Sequence, residues 1–325
     1  MSSPIRFIPE EAKCWTNANG EPIAVVETTI RTLQGRYFLK PTARNRSLIL
    51  GVLGRAKEQL DFELYGYAFL SNHGSMLIGV RDAVHLARIM EFIHSNIARE
   101  LGRKEHSDWP GPFWARRGKP ILVLTDVDLV KRQRYLLANS TKENLVARPT
   151  LWPGAHCARA LCEGRPDTGA WVDRTLLGRL RRQAGDNQRV TEADATTCYR
   201  IRLNKLPCWG EMSDSEYRQA TLELCQGITE DAERERANTG ASVMGEKRIL
   251  RLHPHHRPTD LESSPAPPVH CSDTERRHWF IAAYRDFVEM YQAAHEQLRR
   301  LVVTRDEFPY GGIPPTAMLQ CAEST

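Results

Sequence analysis

The sequence predicts an α+β protein, with an antiparallel sheet interleaved with helices in its first half and a mainly helical C-terminal region. Two observations carry this expectation. Between residues 25 and 104 the apolar spacing switches between two residues and about 3.6, in the order strand, helix, strand, strand, helix. After "LWPGAHC" (151–157) the texture changes and long helical runs dominate. At 325 residues the chain has room for about two domains of ordinary size. The expected boundary lies near residue 160, dividing 1–160 from an accessory region, 161–325.

"VVETTIRTLQGRYFL" (25–39) is rich in β-branched residues and reads as a strand pair or one long bent strand. "RNRSLILGVLGRAKEQL" (44–60) has apolar residues at helical spacing. "DFELYGYAFL" (61–70) alternates, with Phe62, Leu64, Gly66, Ala68 and Leu70 on one face, and "HGSMLIGV" (73–80) resumes as the next strand. Asp82 caps an amphipathic helix over 82–104, striped by Ala87, Met90, Ile93, Ile97 and Leu101. "PFWARRGKPILVLT" (112–125) joins an aromatic-basic segment to a short strand. Thr125 with Asp128 then starts the helix "DVDLVKRQRYLLAN". Beyond the boundary come a short helix over about 173–183, an alternating strand over 198–206, and a long helix opened by Ser213 and Glu216. A Pro-rich linker (259–270) and a second long helix (274–301) follow.

Composition narrows the function classes. Hydrophobic residues at 41% and charged residues at 26% describe an ordinary globular chain rather than a disordered or fibrous one. A net charge of +5 permits a nucleic-acid partner without demanding one. The eight cysteines (14, 157, 162, 198, 208, 225, 271 and 321) form no C-x-x-C pair, so free thiols in a reducing cytosol are expected. "MSSPIRFIPEEAK" has no apolar core of signal-peptide length, and no apolar run approaches the roughly 20 residues of a membrane span. The expected location is cytoplasmic, with no membrane partner.

On the helix containing Tyr135, the core-facing sector holds Leu129, Val130, Gln133, Leu136 and Leu137. Tyr135 falls nearly opposite, flanked by Asp128, Lys131, Arg132 and Asn139. Its hydroxyl reads either as a surface group or as a nucleophile toward phosphate, because neighbouring cations stabilise a phenolate and attract the anionic substrate.

His73 and Ser75 share one face of a strand. A second imidazole at position 75 would converge with the first on a divalent ion; a serine hydroxyl is a poor substitute. A lone histidine hydrogen-bonded at a strand end is the alternative. His85 and His94 lie about half a turn apart around their helix and cannot share an ion. "HPHHRP" (253–258), without paired cysteines, reads as a polar loop. Neither a Gly-rich phosphate loop nor a G-x-S-x-G elbow is present.

Basic residues gather near these candidates: Arg36, Lys40, Arg44 and Arg46; Arg116, Arg117 and Lys119 beside Trp114; and Lys131 to Arg134. Cations interleaved with aromatic rings suit a nucleic-acid backbone carrying stacked bases, although charged loops are commonly just solvated.

The segments "GRYFLKP", "ILGVLGRA", "FELYGYAFLSNHGSMLI", "FWARRG" and "RYLLANSTKENLVARPTLWPG" cover about residues 26–157. In that order they resemble the HUH-type single-tyrosine transposases, and more closely the REP-associated tyrosine transposases. The resemblance implies a ferredoxin-like, HUH endonuclease-like fold with His73 on a central strand and the Tyr135 helix across the sheet's edge. It implies a DNA transposase, a single-strand endonuclease and strand transferase that cleaves and rejoins single-stranded or hairpin DNA through a 5′-phosphotyrosine. Tyr135 would be the nucleophile, and His73 and Asn139 would hold Mg²⁺ or Mn²⁺. The partners implied are DNA, in a nucleoid-associated setting, and a second copy in a homodimer.

The family's second histidine falls on Ser75, and its usual Asn-Pro after the tyrosine is here Asn139-Ser140. Metal assistance to phosphoryl transfer is worth several kcal/mol, so losing a ligand puts catalysis in question. The competing expectation is a domesticated DNA-binding protein of the same fold. Glu63 or another carboxylate beside His73 would favour the enzyme; a His73 tied up in hydrogen bonds would favour the binder. A third reading, an unrelated metal hydrolase, needs a carboxylate-rich site that the sequence does not display.

Overall fold

Strand β1 (Trp15–Thr16) pairs antiparallel with the start of β2 (Pro22–Arg31), the β-branched run that forms the middle of the sheet. In this computed structural model the residues described are 6–104, 106, 108–184, 189–258 and 267–299. The strand expected to continue to residue 39 ends at Arg31. Gln34 and Gly35 take φ of 55° and 67°, a left-handed turn that no strand can contain.

Helix α1 (Ala43–Leu60) is capped by Thr42, whose side chain accepts from the Asn45 amide. β3 (Glu63–Phe69) and β4 (His73–Val80) follow, then α2 (Ala83–Lys104), where Asp82 Oδ1 accepts from the His85 amide at 2.7 Å. β5 (Lys119–Val123) leads into α3 (Asp126–Lys142), capped by Thr125. β2 lies between β4 and β5, and β3 pairs with the outer side of β4, all antiparallel.

A β-bulge between Leu64 and Gly66 overturns the single apolar face expected for 61–70. Leu64 stands opposite Ile78, whereas Gly66 and Ala68 stand opposite Leu77 and Ser75, on the other face. One inserted residue inverts every side chain after it. Asn204 attends the irregularity, its side chain accepting from the Leu64 amide at 3.0 Å and its own amide donating to the Leu64 carbonyl at 2.8 Å.

The second half builds on the first. After α4 (Ala158–Glu163), strands β6 (Asp167–Val172) and β7 (Thr196–Ile201) form a hairpin that packs on α1; α5 (Arg174–Gln183), capped by Asp173, lies between them in sequence. The approach is so close that a Cβ on Gly51 would stand 2.0 Å from the Ala170 carbonyl oxygen. Asp167 is bonded by the Tyr67 hydroxyl and paired with Arg46, joining β6 to β3 and α1. One buried cluster therefore runs through residue 160, including Leu50, Tyr67, Leu161, Ile201, Phe280 and Phe287.

α6 (Asp214–Thr239) opens with the expected capping box of Ser213 and Glu216, and α7 (Glu246–Arg251) is short. The linker differs from expectation at its end. Val269 and His270 form β8, which adds parallel to β5 and places His270 opposite Val123; residues 259–266 lie outside those described. α8 spans Thr274–Arg299. No helix among the described residues is long and apolar enough to cross a membrane.

Candidate functional site

Cross-strand register assembles one face from three strands. His73 stands opposite Arg31, and Ser75 stands opposite both Thr29 and Ala68. Two residues along β2 from Thr29, the same face carries Glu27. Helix α3 packs over β3 and β4 on this face, where Gly66 looks toward Gln133 and Leu136. The helix thus crosses the face of the sheet rather than its edge.

The half-buried His73 donates from Nδ1 to Asn72 Oδ1 at 2.8 Å. Burial, then the nearby Arg31 charge, pushes its pKa down to about 4, so the ring is neutral at pH 7 and its Nε2 lone pair is free of a proton. Ser75 is buried, and its hydroxyl lies 3.3 Å from the Thr29 hydroxyl. Glu63 pairs with Gly79 at the far end of β4, so it is not the carboxylate sought beside His73.

Glu27 is only 3% exposed, in the middle of the central strand. Arg132 of α3 approaches its carboxylate with Nε at 2.6 Å and Nη2 at 2.9 Å, and His270 Nε2 of β8 lies at 2.9 Å. Burial alone would raise this carboxyl's pKa; the His270 and Arg132 contacts outweigh it and hold the group below its ordinary value. One carboxylate thereby ties together the central strand, α3 and the edge strand.

Tyr135 is 41% exposed, as its helical position predicted. The Arg132 guanidinium lies 4.0 Å from its ring centroid and the Lys142 ammonium 5.6 Å. Asn139 departs from expectation. It is 6% exposed, with a buried Nδ2 that has no hydrogen-bond partner, so it sits inside rather than beside Tyr135 on the solvent face. Asp128 is buried as well, accepting from Thr125 and from Ser272.

His73, Ser75 and Asn139 do not make the donor set of a divalent-cation site. They offer one imidazole, a hydroxyl turned to Thr29, and an amide, with no carboxylate among them. Glu27 on the same face is already paired with Arg132 and contacted by His270. Among the described residues there is no group of three or more His, Cys, Asp or Glu side chains that could hold a metal.

The basic candidates divide into two kinds. Arg46 and Arg132 are committed to Asp167 and Glu27, and Arg134 pairs with Asp231 at 2.5 Å. Arg44, Arg116, Arg117 and Lys131 are exposed, while Lys40 and Lys119 are half-buried. The isolated bridge from Thr32 to Trp114 brings the aromatic-basic segment to the His73 end of β2, where Trp114 Nε1 donates to the His94 carbonyl at 2.9 Å. Arg36 lies 4.6 Å over the Trp109 ring. The 253–258 loop docks there too: the His256 ring lies tilted against Tyr37 at 5.3 Å and His255 meets Trp109 edge-on at 5.6 Å. Its histidines therefore build an aromatic cluster.

Sequence reasoning missed Glu27 and His270. Glu27 carried a signal: a charge inside a long β-branched strand must be paired when that strand is central. His270 had none, being a polar residue at the end of a linker.

No protein-family model matches the chain, and no curated protein matches it. Among solved structures, a REP-associated tyrosine transposase bound to a REP hairpin superposes over 50% of this chain and 87% of its own, at 16% identity and a TM-score of 0.39. A candidate transposase from Deinococcus radiodurans superposes over 35% of this chain and 88% of its own, at 14% identity and a TM-score of 0.28. Likeness at this level demonstrates no shared activity.

Proposed function

We propose that the protein binds single-stranded or hairpin DNA on a transposase-like scaffold whose metal-dependent cleavage is impaired at Ser75. The strand and helix order β2-α1-β3-β4-α2-β5, in the sheet order β3-β4-β2-β5, is read here as a ferredoxin-like core of the HUH endonuclease kind. The observation that carries the reading is Ser75 itself. It occupies the position beside His73 where the resembling family has its second imidazole, and its hydroxyl is turned to Thr29. Exposed cations, Arg44, Arg116, Arg117 and Lys131, with the half-buried Trp109 and Trp114 just before Arg116 in the chain, would supply what a single strand needs: charge for phosphates and rings for bases.

A second reading, cleavage through Tyr135, is favoured by one observation: its ring is exposed and two cations lie over it. One experiment separates the two. Labelled hairpin and unstructured oligonucleotides are titrated with the protein in native gels, then incubated with Mn²⁺ and resolved on denaturing gels. Retention without an adduct in the wild type, with an adduct in Ser75→His that disappears in Ser75→His/Tyr135→Phe, supports the binder. A wild-type adduct lost in Tyr135→Phe establishes the enzyme, and absence of retention overturns both.

A further inference from the structure

A cavity of about 310 Å³ opens beside the Glu27 cluster, between α3, the β8 segment and α8. Lys131 and Arg132 come to its wall from α3, His270 from β8 and Arg277 from α8. Against them stands one lining carboxylate, Asp128, whose charge is already committed. Asp128 accepts from the Thr125 hydroxyl at 2.6 Å, from the Ser272 amide and from the Ser272 hydroxyl at 2.9 Å, and it lies 3.8 Å from Lys131. Burial would raise its pKa, but these contacts hold it below the ordinary carboxylate value, so it stays a satisfied anion near neutral pH.

The cations are less committed. Arg132 turns Nε and Nη2 to Glu27, which leaves its Nη1 group. Lys131 has a side chain 62% exposed, and Arg277 is exposed with no carboxylate partner among the described residues. Three cations and an imidazole thus surround a space at the small end of the roughly 300–1,000 Å³ range of ligand sites. That volume suits a phosphate with its sugar and is too small for a duplex or a helix. Guanidinium forks and ammonium groups are the usual protein donors to phosphate oxygens.

We propose that this cavity binds the phosphate group of a nucleotide, free or carried on a strand. The strand-borne form rests on the DNA-binding reading above; the free form does not. Lys131 lies one helical turn before Tyr135 on α3, so a strand running along that helix would deliver a phosphate to the cavity.

The test uses the full chain with Arg277→Gln and, as a control, Lys247→Gln on the exposed surface of α7. Inorganic phosphate, deoxyadenosine monophosphate and a labelled single-stranded oligonucleotide are titrated separately by calorimetry and fluorescence anisotropy. Arg277 is exposed, so its variant is expected to melt with the wild type. Mononucleotide binding weakened about tenfold by Arg277→Gln, the equivalent of one charge-assisted contact, and unaffected by Lys247→Gln, supports a site for free nucleotide. Oligonucleotide binding weakened by the same variant, with the slope of log affinity against log salt reduced by about 0.7 and no mononucleotide binding, supports a strand phosphate. If Arg277→Gln changes neither affinity, the pocket proposal is overturned while DNA binding by the wild type stands. A wild type that binds mononucleotide through Arg277 but no DNA overturns only the DNA reading, and one that binds none of the three ligands overturns both.

Discussion

The guanidinium of Arg132 lies 4.0 Å from the ring centroid of Tyr135. The same guanidinium is bound to Glu27 in the central strand, so the exposed tyrosine is positioned from the middle of the sheet through one side chain. The relationship makes Arg132 structural and site-forming at once.

Removing that link should be costly. Arg132→Met leaves the Glu27 carboxylate buried with His270 as its remaining partner, and a broken buried pair costs about 3–5 kcal/mol. Arg132→Lys should recover only part of the loss, because an ammonium cannot reproduce the two-pronged contact. Urea denaturation of the three proteins checks this; an Arg132→Met midpoint equal to wild type would remove the cluster from the account of stability.

Tyr135→Phe should do almost nothing to the fold. The ring is 41% exposed and its hydroxyl joins no described hydrogen bond, so the change in stability should fall within about 0.5 kcal/mol. Thermal melting measured beside the gel experiment tells whether a lost adduct reports chemistry or unfolding.

Acid should destabilise the protein well above the range where carboxylates titrate. His73, His94 and His156 all have pKa values pushed down to about 4 by burial, aided at His73 by Arg31 and at His94 by Arg6 and opposed at His156 by backbone carbonyls. Between pH 6.5 and about 4 the unfolded chain binds protons at these sites and the folded chain does not. With respect to these histidines stability is therefore level from about pH 8 to 6.5 and falls as pH drops through that window, with each fully depressed unit worth on the order of 1.4 kcal/mol. Glu27 and Asp128, whose pKa values are lowered, add their loss at more acid pH. Unfolding free energies at half-unit steps from pH 8 to 4 measure the slope; a flat profile down to pH 4.5 would contradict the buried, neutral histidines.

Two glycine substitutions should move stability in opposite directions. In Gly51→Ala the new Cβ meets the Ala170 backbone at 2.0 Å, which forces the β6–β7 hairpin away from α1 at a cost of about 1–3 kcal/mol or more. Gly227→Ala, on α6 with nothing within 4 Å, should stabilise by up to about 1 kcal/mol through helix propensity. Melting temperatures of the two variants suffice, and a destabilised Gly227→Ala would mean that the α6 surface is covered.

Much of the local structure was legible in the chain itself. The Thr125 and Ser213 caps, the α1 and α2 spans and the exposure of Tyr135 follow from residues within about a turn of one another. Helical periodicity misjudged Asn139 and Asp128. Both lie near Tyr135 on a helical wheel, yet neighbouring elements cover them, as the contact of Ser272 with Asp128 shows. The single face read for 61–70 failed because a bulge leaves no local signature when its partner strand is unknown.

By itself, the sequence determined the periodicities, the caps, the alternation of strand and helix, and the placement of Tyr135, His73 and Ser75 on their elements. Tertiary structure alone decided that Glu27 is held by Arg132, 105 residues away, that the end of a Pro-rich linker becomes a parallel edge strand bringing His270 to the same carboxylate, and that Asn139 is covered. The physical reason is range: hydrogen-bonded turns and side-chain periodicity act over a few residues, whereas desolvation and ion pairing depend on which distant surfaces meet.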